Sequence, residues 1–465
     1  MRITNQMTTN RLLLNINRNA TAADRFMMQL TTGKRIHNPS DDPIIASRAL
    51  RFRTNVAEVE QFRRNAGQAT SWMEVTEGSM GNMQSILTNI NTRLVQASTG
   101  TYTIGQRQTI AAEINMMFQQ MNSEMNATFA GRYVFSGFRT DVPPIVVNDA
   151  LPLDHDIHIT KGANFTDIET LDQMFWRNAL GDWEKFPEMG DAFQTHKLKL
   201  PYSRTDDRNM TLPVIFDSTG AALALPAIEA PVGVNPFWHA EVTNNIVFIP
   251  ETGELIIPTA RLADFEDGVT ISYELDGLYE GELNPFIFFH TEELSAGPVG
   301  TAGNAIFTVG GQELRFELGT NVRIAINSQA NDAYPWQLFA NLMSLQNFVN
   351  SMEVPPNATE QEAIEYEEFF REALYQKFTN MISSMEGHIQ HTATEYTTLG
   401  ARMNRVELIS NRLIENRDTF TELMSENENV DFIEVMMRFN AAEAIFQAAM
   451  QVGARIAQVS IVNFL

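Results

Sequence analysis

The chain has 465 residues, of which 44% are hydrophobic and 19% charged; that length gives room for about three domains, and the composition supports a buried core. Against 33 Lys+Arg stand 57 Asp+Glu, a formal net charge of −24, which excludes the basic footprint a nucleic-acid partner needs. With no cysteine in the chain, disulfides, thiolate metal sites and cysteine nucleophiles are excluded, and no apolar run approaches the roughly 18 residues of a membrane span.

In chain order, the first pattern is a row of apolar residues, Leu13, Ile16, Ala20, Ala23, Met27 and Leu30, spaced by three and four. That is the spacing of a coiled-coil seam on an amphipathic helix. The cluster Leu12-Leu13-Leu14 is far too short for the apolar core of a cleaved signal, so a chain like this would leave the cytoplasm by another route. Next comes Arg35-Ile36-His37-Asn38-Pro39-Ser40-Asp41-Asp42-Pro43, a turn followed by a helix start. Ser40, Asp41 or Asp42 can accept the free amide hydrogens of the next helix, and Pro43 suits its first position. With no histidine cluster beside it, this acidic pair reads as a cap rather than as a metal or acid–base site.

Ile45, Ala49, Phe52, Val56 and Val59 form a second seam, and Met80, Met83, Leu87, Ile90, Leu94 and Ala97 a third. Met116, Met117, Met121 and Met125 read as helix core rather than as an adaptable binding surface. At Gly131-Arg132-Tyr133-Val134-Phe135-Ser136-Gly137-Phe138 the helical period gives way to β-type residues between glycines, which predicts a strand or hairpin leading into the middle of the chain.

Proline marks off that middle. Fourteen of the 18 prolines lie between Pro143 and Pro335, with none from Ile44 to Val142 or from Asn357 to Leu465. Proline breaks helices, so the flanking arms are free to be long helices and the middle is not. Strand-like runs there include 245–249, 254–257, 269–273 and 322–326. Val309-Gly310-Gly311-Gln312 predicts a hairpin turn. Gly297-Pro298-Val299-Gly300-Thr301-Ala302-Gly303 lacks the lysine and following helix of a phosphate loop. In Asp154-His155-Asp156-Ile157-His158 the two histidines would face opposite sides of a strand.

In the last arm, Leu399, Met403, Val406, Leu413, Phe420 and Met424 make a seam. After an acidic break at 425–431, Phe432, Met436, Phe439, Phe446, Met450, Gly453 and Ile456 make another. His388-Ile389-Gln390-His391, with Glu395 beyond it, has a spacing that can share a metal, but it lacks the further inward carboxylates such sites need and reads as a solvated face. Residues 1–140 carry 15 Lys+Arg against 9 Asp+Glu, residues 141–335 carry 10 against 30, and residues 336–465 carry 8 against 18. A basic arm and an acidic arm, both with apolar seams, are suited to pairing.

Four blocks stand out as a set: Met1-Arg2-Ile3-Thr4, the run from Thr32 and Gly33-Lys34-Arg35-Ile36 to Pro39-Ser40-Asp41-Asp42-Pro43, residues 131–138, and Gly453-Ala454-Arg455-Ile456-Ala457-Gln458-Val459-Ser460-Ile461-Val462-Asn463-Phe464-Leu465. Together they resemble the hook-associated protein 3 family, the hook–filament junction proteins of the bacterial flagellum and relatives of flagellin. The resemblance covers both arms and not the middle. It implies a flagellin-like rod of paired N- and C-terminal helices forming a coiled-coil stem, with an inserted β-rich head: an α+β multidomain fold. Residues 1–32 and 430–465 would form the inner assembly layer, 33–140 and 336–429 the helical stem, and 141–335 the acidic head of one or two subdomains. The implied partners are hook-associated protein 1 on the proximal side, flagellin on the distal side, further copies in a ring, and a flagellar export chaperone. The implied location is extracellular, reached by type III export without a cleaved signal peptide.

The residues expected to carry assembly and stem packing are Leu13, Ile16, Met27, Leu30, Phe52, Val56, Val406, Leu413, Phe420, Phe439, Phe446 and Ile456. No cofactor, metal, catalytic residue, nucleic-acid partner or membrane insertion is expected, and the chain reads as a structural protein rather than an enzyme. The alternatives are flagellin itself and a flagellin-like protein with a metal-dependent enzymatic head. The terminal seams have no neighbour in sequence to cover them, so both ends are expected to order only on assembly.

Overall fold

The computed structural model describes residues 5–99, 102–147, 151–173, 175–177, 183–185, 193–205, 208–223, 226–231, 234–350, 352 and 359–462. Along the first half run α1 (Asn5–Thr32), α2 (Pro43–Ala97), α3 (Ile104–Met125), β1 (Thr128–Phe129), β2 (Arg132–Tyr133), β3 (Leu151–Ala163), β4 (Glu169–Gln173), β5 (Phe175–Arg177), β6 (Trp183–Lys185) and β7 (Phe193–Lys199). Then follow β8 (Val214–Phe216), β9 (Ile228–Glu229), α4 (Pro236–Thr243), β10 (Val247–Ile249), β11 (Glu254–Ile257), β12 (Val269–Leu278), α5 (Pro285–Phe288) and β13 (His290–Glu293). The remainder comprises β14 (Ala305–Phe307), β15 (Arg315–Gly319), β16 (Val322–Ala325), α6 (Ala330–Ala333), α7 (Trp336–Asn350), α8 (Glu360–Glu428) and α9 (Phe432–Val462). The long helices lie in the proline-free arms, and the described strands fall between them. Thus the fold is helical at both ends with a central β-sheet region.

Two compact units divide the chain, 1–67 with 317–322 and 407–465, and 68–316 with 323–406. Helices α2 and α8 each contribute to both.

In the first unit α1 packs along α9. Ile16 and Leu12 of α1 pack beside Gly453 of α9, where an added Cβ would sit 3.4 Å from Ile16 Cδ1 and 3.5 Å from Leu12 Cδ2, ordinary contact distances. Ala46, Ala49, Val59 and Ala66 of α2 are buried, as are Ile409 and Leu413 of α8. The tip of the β15–β16 hairpin belongs here too: Asn65 Nδ2 donates to the Glu317 carbonyl at 2.8 Å. Each end of the chain therefore covers part of the other's apolar face. The cover comes from the opposite end of the chain, more than four hundred residues away, in the pairing of terminal helices that the resemblance implies.

The second unit holds two five-stranded sheets, ordered β14-β13-β3-β12-β8 and β4-β7-β11-β10-β9. The first is antiparallel throughout, and the second has one parallel pair, β9 with β10. On the helical side Met80, Met83, Leu87, Ile90, Leu94 and Ala97 of α2 are fully buried. Met121 and Met125 of α3 are likewise buried, whereas Met116 is exposed. Phe118 of α3 meets Phe339 of α7 edge-on, ring centroids 5.6 Å apart. A capping box starts α3, with Thr103 accepting from the Gln106 N–H while Gln106 reaches back to the Thr103 N–H.

Two local expectations shift. The hairpin expected at 131–138 sits at 128–133, because Ala130 (φ 50°) and Gly131 (φ 77°) supply the paired positive-φ turn. Gly310 and Gly311 have positive φ but form a loop between β14 and β15, which lie in different sheets. Glycine permits such backbone in a loop as readily as in a hairpin.

Candidate assembly surface

The first unit is organised around two turns. Gly33, at φ +69°, ends α1, its N–H donating to Gln29 O at 2.8 Å. Gln29 is buried, and its Nε2 donates to Arg35 O at 2.7 Å. Asp41 closes the turn by accepting from the His37 and Asn38 N–H groups at 3.1 and 3.0 Å; these bonds hold its carboxyl below the usual range. Asp42 then caps α2, accepting from the Ile44 and Ile45 N–H groups at 3.0 and 3.1 Å, with Pro43 as first residue. The acidic pair thus works as a turn closure and a cap.

The second turn joins α8 to α9, and Asp431 caps α9 through the Ile433 and Glu434 N–H groups at 2.9 and 3.2 Å. The two turns are laced together by backbone bonds, Arg35 N–H to Glu428 O at 2.7 Å and Val430 N–H to Gly33 O at 3.1 Å. Side chains reinforce the join. Arg53 donates to Glu428 Oε1 from Nε at 2.7 Å and to Oε2 from Nη2 at 2.8 Å. Lys34 Nζ lies 3.3 Å from Glu428 Oε2 and donates to Asn429 Oδ1 at 2.8 Å. The Glu428 side chain is 4% exposed, and the Arg53 hydrogen bonds hold its carboxyl below the usual range, Lys34 adding to the effect. In this unit the expected pairing of a basic with an acidic arm is focused on one carboxylate. Sequence reading missed Glu428, whose only signal was its acidic arm.

The expected seam residues divide by burial. In the first unit Leu413 is buried, and Ile16, Leu30, Phe52, Val56, Phe420, Phe439 and Phe446 are partly buried. Val406, in the second unit, is fully buried. Leu13 and Met27 are turned outward, 56% and 57% exposed, and the inward positions of α1 are Leu12 and Phe26 instead. Three-and-four spacing fits either of two adjacent stripes when three leucines stand in a row, so the pattern alone does not choose. The side chain of Ile456 lies outside the described residues. Along α9, Val435, Phe439, Phe446 and Gly453 are its less exposed positions, whereas Phe432, Met436 and Met450 are exposed.

A row of large apolar side chains therefore faces away from the α1–α9 contact: Leu13, Leu14, Met27 and Met28 on α1, and Ile433, Met437, Ile445 and Val452 on α9. Scattered exposed leucines are ordinary, but apolar rows on two packed helices make a candidate contact surface. Among the described residues, no three His, Asp or Glu side chains gather as metal ligands, and no helix is long and apolar enough to cross a membrane. His388, in the second unit, is not the solvated residue its helix face suggested. Burial pushes its pKa down to about 4, and its Nε2 is buried without a partner. His391 is exposed and meets the Asp332 carbonyl at 2.6 Å.

Comparison with known proteins finds relatives for these helices. The bacterial flagellin N-terminal helical region matches residues 3–140, and the bacterial flagellin C-terminal helical region matches residues 382–465. The chain is flagellin-like at both ends. Flagellar hook-associated protein 3 of Escherichia coli is 30% identical over 145 residues, 31% of this chain and 46% of that protein. Flagellin of the same species is 26% identical over 223 residues, 48% of this chain and 41% of that protein. The flagellin-like chain thus spans less than half the length of these relatives. A crystal structure of flagellar hook-associated protein 3 from Legionella pneumophila aligns over 81% of this chain and 97% of its own, at 13% identity and a TM-score of 0.32.

Proposed function

We propose that this flagellin-like chain is a structural, non-enzymatic component of the bacterial flagellum that joins the hook to the filament. The observation that carries the reading is the pairing of α1 with α9, each keeping a second apolar row outward. In a polymer those rows are covered by the same helices of neighbouring subunits, and that burial supplies the association energy. The 1–32 and 430–465 segments then form the inner layer, 33–140 and 336–429 the stem, and 141–335 an outer acidic head. Proximal and distal partners are hook-associated protein 1 and flagellin, with self-association in a ring and an export chaperone beforehand. The chain reaches the cell exterior through the flagellar export channel.

A second reading, filament subunit, is favoured by the longer match to Escherichia coli flagellin. Deleting the gene separates the two. Hooks without filaments, with flagellin shed unpolymerised into the medium, support the junction role. Loss of the major flagellin itself supports the filament role, and normal filaments contradict both.

A further inference from the structure

Within the first unit, α2 and α8 each turn a charged stripe to solvent, and the two stripes have opposite sign. From 43 to 67, α2 carries five arginines against two glutamates; from 407 to 428, α8 carries six acidic residues against two arginines. Ile44, Arg48 and Arg51 stand four and three residues apart on α2 and are exposed, Ile44 by 65%. Leu408, Glu415, Glu422 and Glu426 stand seven, seven and four residues apart on α8 and are exposed as well, Leu408 by 71%. Such spacings hold each set on one face of its helix. The ion pairs of these two segments use other residues: Arg53 with Glu428, Arg63 with Glu60, and Arg417 with Asp418.

The Arg53–Glu428 pair, and Asn427 Nδ2 donating to the Ile45 carbonyl at 3.1 Å, mark the sides on which the two helices face each other. At about 100° per residue, each charged stripe lies roughly half a turn from those positions. The basic stripe therefore points away on one side of the helix pair and the acidic stripe on the other. Farther along α2, the bond from Arg63 holds the Glu60 carboxyl below the usual range, and Arg417 of α8 adds to the effect. With Ile45 beside Asn427 and Glu60 near Arg417, the helices run antiparallel. Glu422 and Glu426 thus come to the height of Arg48 and Arg51.

We propose that two copies of this chain dock side by side, head to tail, with Arg48 and Arg51 of one meeting Glu422 and Glu426 of the next. The occupant of each stripe is a second copy because one chain carries both complementary halves, on opposite sides and at the same height. A two-fold contact would set like charges together, whereas a head-to-tail contact joins unlike charges and repeats from copy to copy. Charge complementarity fixes the register and disfavours the wrong pairing, and Ile44 and Leu408 add apolar cover at either end. This inference rests on the reading of the chain as a subunit of a polymer, and its contact is separate from the outward rows of α1 and α9.

The test exploits a chain without cysteine. Full-length protein with Arg51→Cys and Glu422→Cys together replaces the parent in a deletion strain, and whole flagella are treated with a short bismaleimide cross-linker. The expected result is a ladder of dimers, trimers and longer multimers of this chain, with each single substitution leaving it monomeric. Filaments with no ladder would overturn the inference and leave the assembly role standing. Linking by either single substitution would place like stripes together and would also overturn it. Should the paired substitution abolish filaments, charge reversal carries the test. Arg48→Glu with Arg51→Glu, and Glu422→Lys with Glu426→Lys, should each cut filaments per cell by about tenfold or more, and all four together should restore them. Full filament numbers with either reversal, or no restoration by the four, would overturn the proposal.

Discussion

Arg53 grips Glu428 with both ends of its guanidinium fork, at 2.7 and 2.8 Å, across 375 residues of sequence. The bidentate geometry matches a planar carboxylate, and it ties the start of α2 to the last residue of α8. Lys34, from the turn after α1, reaches the same carboxylate. One acidic side chain therefore helps hold the point where both terminal helices leave the longer pair. This gives the α1–α9 pair a defined direction instead of a loose tether.

Glu428→Gln keeps the shape but removes the charge, and should cost about 1.5–3 kcal/mol, the range for hydrogen bonds to charged groups. Since the folded-state pKa of Glu428 is depressed, its contribution is complete above the ordinary carboxylate pKa and fades as pH falls through the folded value. Thermal melts from neutral to acid pH should show the parent losing its advantage over the variant. A gap between them that does not narrow would remove Glu428 from the clasp.

Asp42→Ala should lower stability by about 1 kcal/mol through loss of the α2 cap, read by urea unfolding. Asp42→Asn should restore most of it. A catalytic or metal-binding carboxylate would not be rescued by an amide.

Leu413 and Phe52 both lie on expected seams, yet they differ in burial, Leu413 being 4% exposed and Phe52 only partly buried. Leu413→Ala should cost about 2–5 kcal/mol. Phe52→Asp should cost less than Leu413→Asp, because its charge can turn to water. Equal melting shifts for the two Asp variants would contradict this placement.

These cases show which features can be read from sequence. Proline placement locates the long helices, because a missing N–H and a ring clash act wherever the chain folds. The Asp42–Pro43 cap is equally local. By contrast, the choice between Leu12 and Leu13 depends on where α9 packs, and α9 lies at the other end of the chain. Glu428 depends on contacts with Lys34 and Arg53, hundreds of residues away in sequence. No local spacing marks an isolated glutamate as buried.

Amide hydrogen exchange on the purified flagellin-like chain should find 5–32 and 432–462 exchanging well before 80–97. The α1–α9 pair buries one stripe of each helix, while Met80, Met83, Leu87, Ile90 and Leu94 have no exposed surface. Local stability follows buried contacts, and a helix pair half-covered in the free chain gains the rest of its cover from neighbours. Protection of the terminal helices equal to that of 80–97 would show that they are complete without a partner.

The central claim is that the outward apolar rows are contact surfaces between subunits. Leu13→Asp and Met27→Asp test it most directly, because both side chains are more than half exposed in the single chain. The measurement is rescue of a deletion strain by each variant, scored as filaments per cell, beside the melting profile of the purified protein. The account predicts unchanged melting, exported protein and loss of filaments. Full filament rescue by both variants would contradict it.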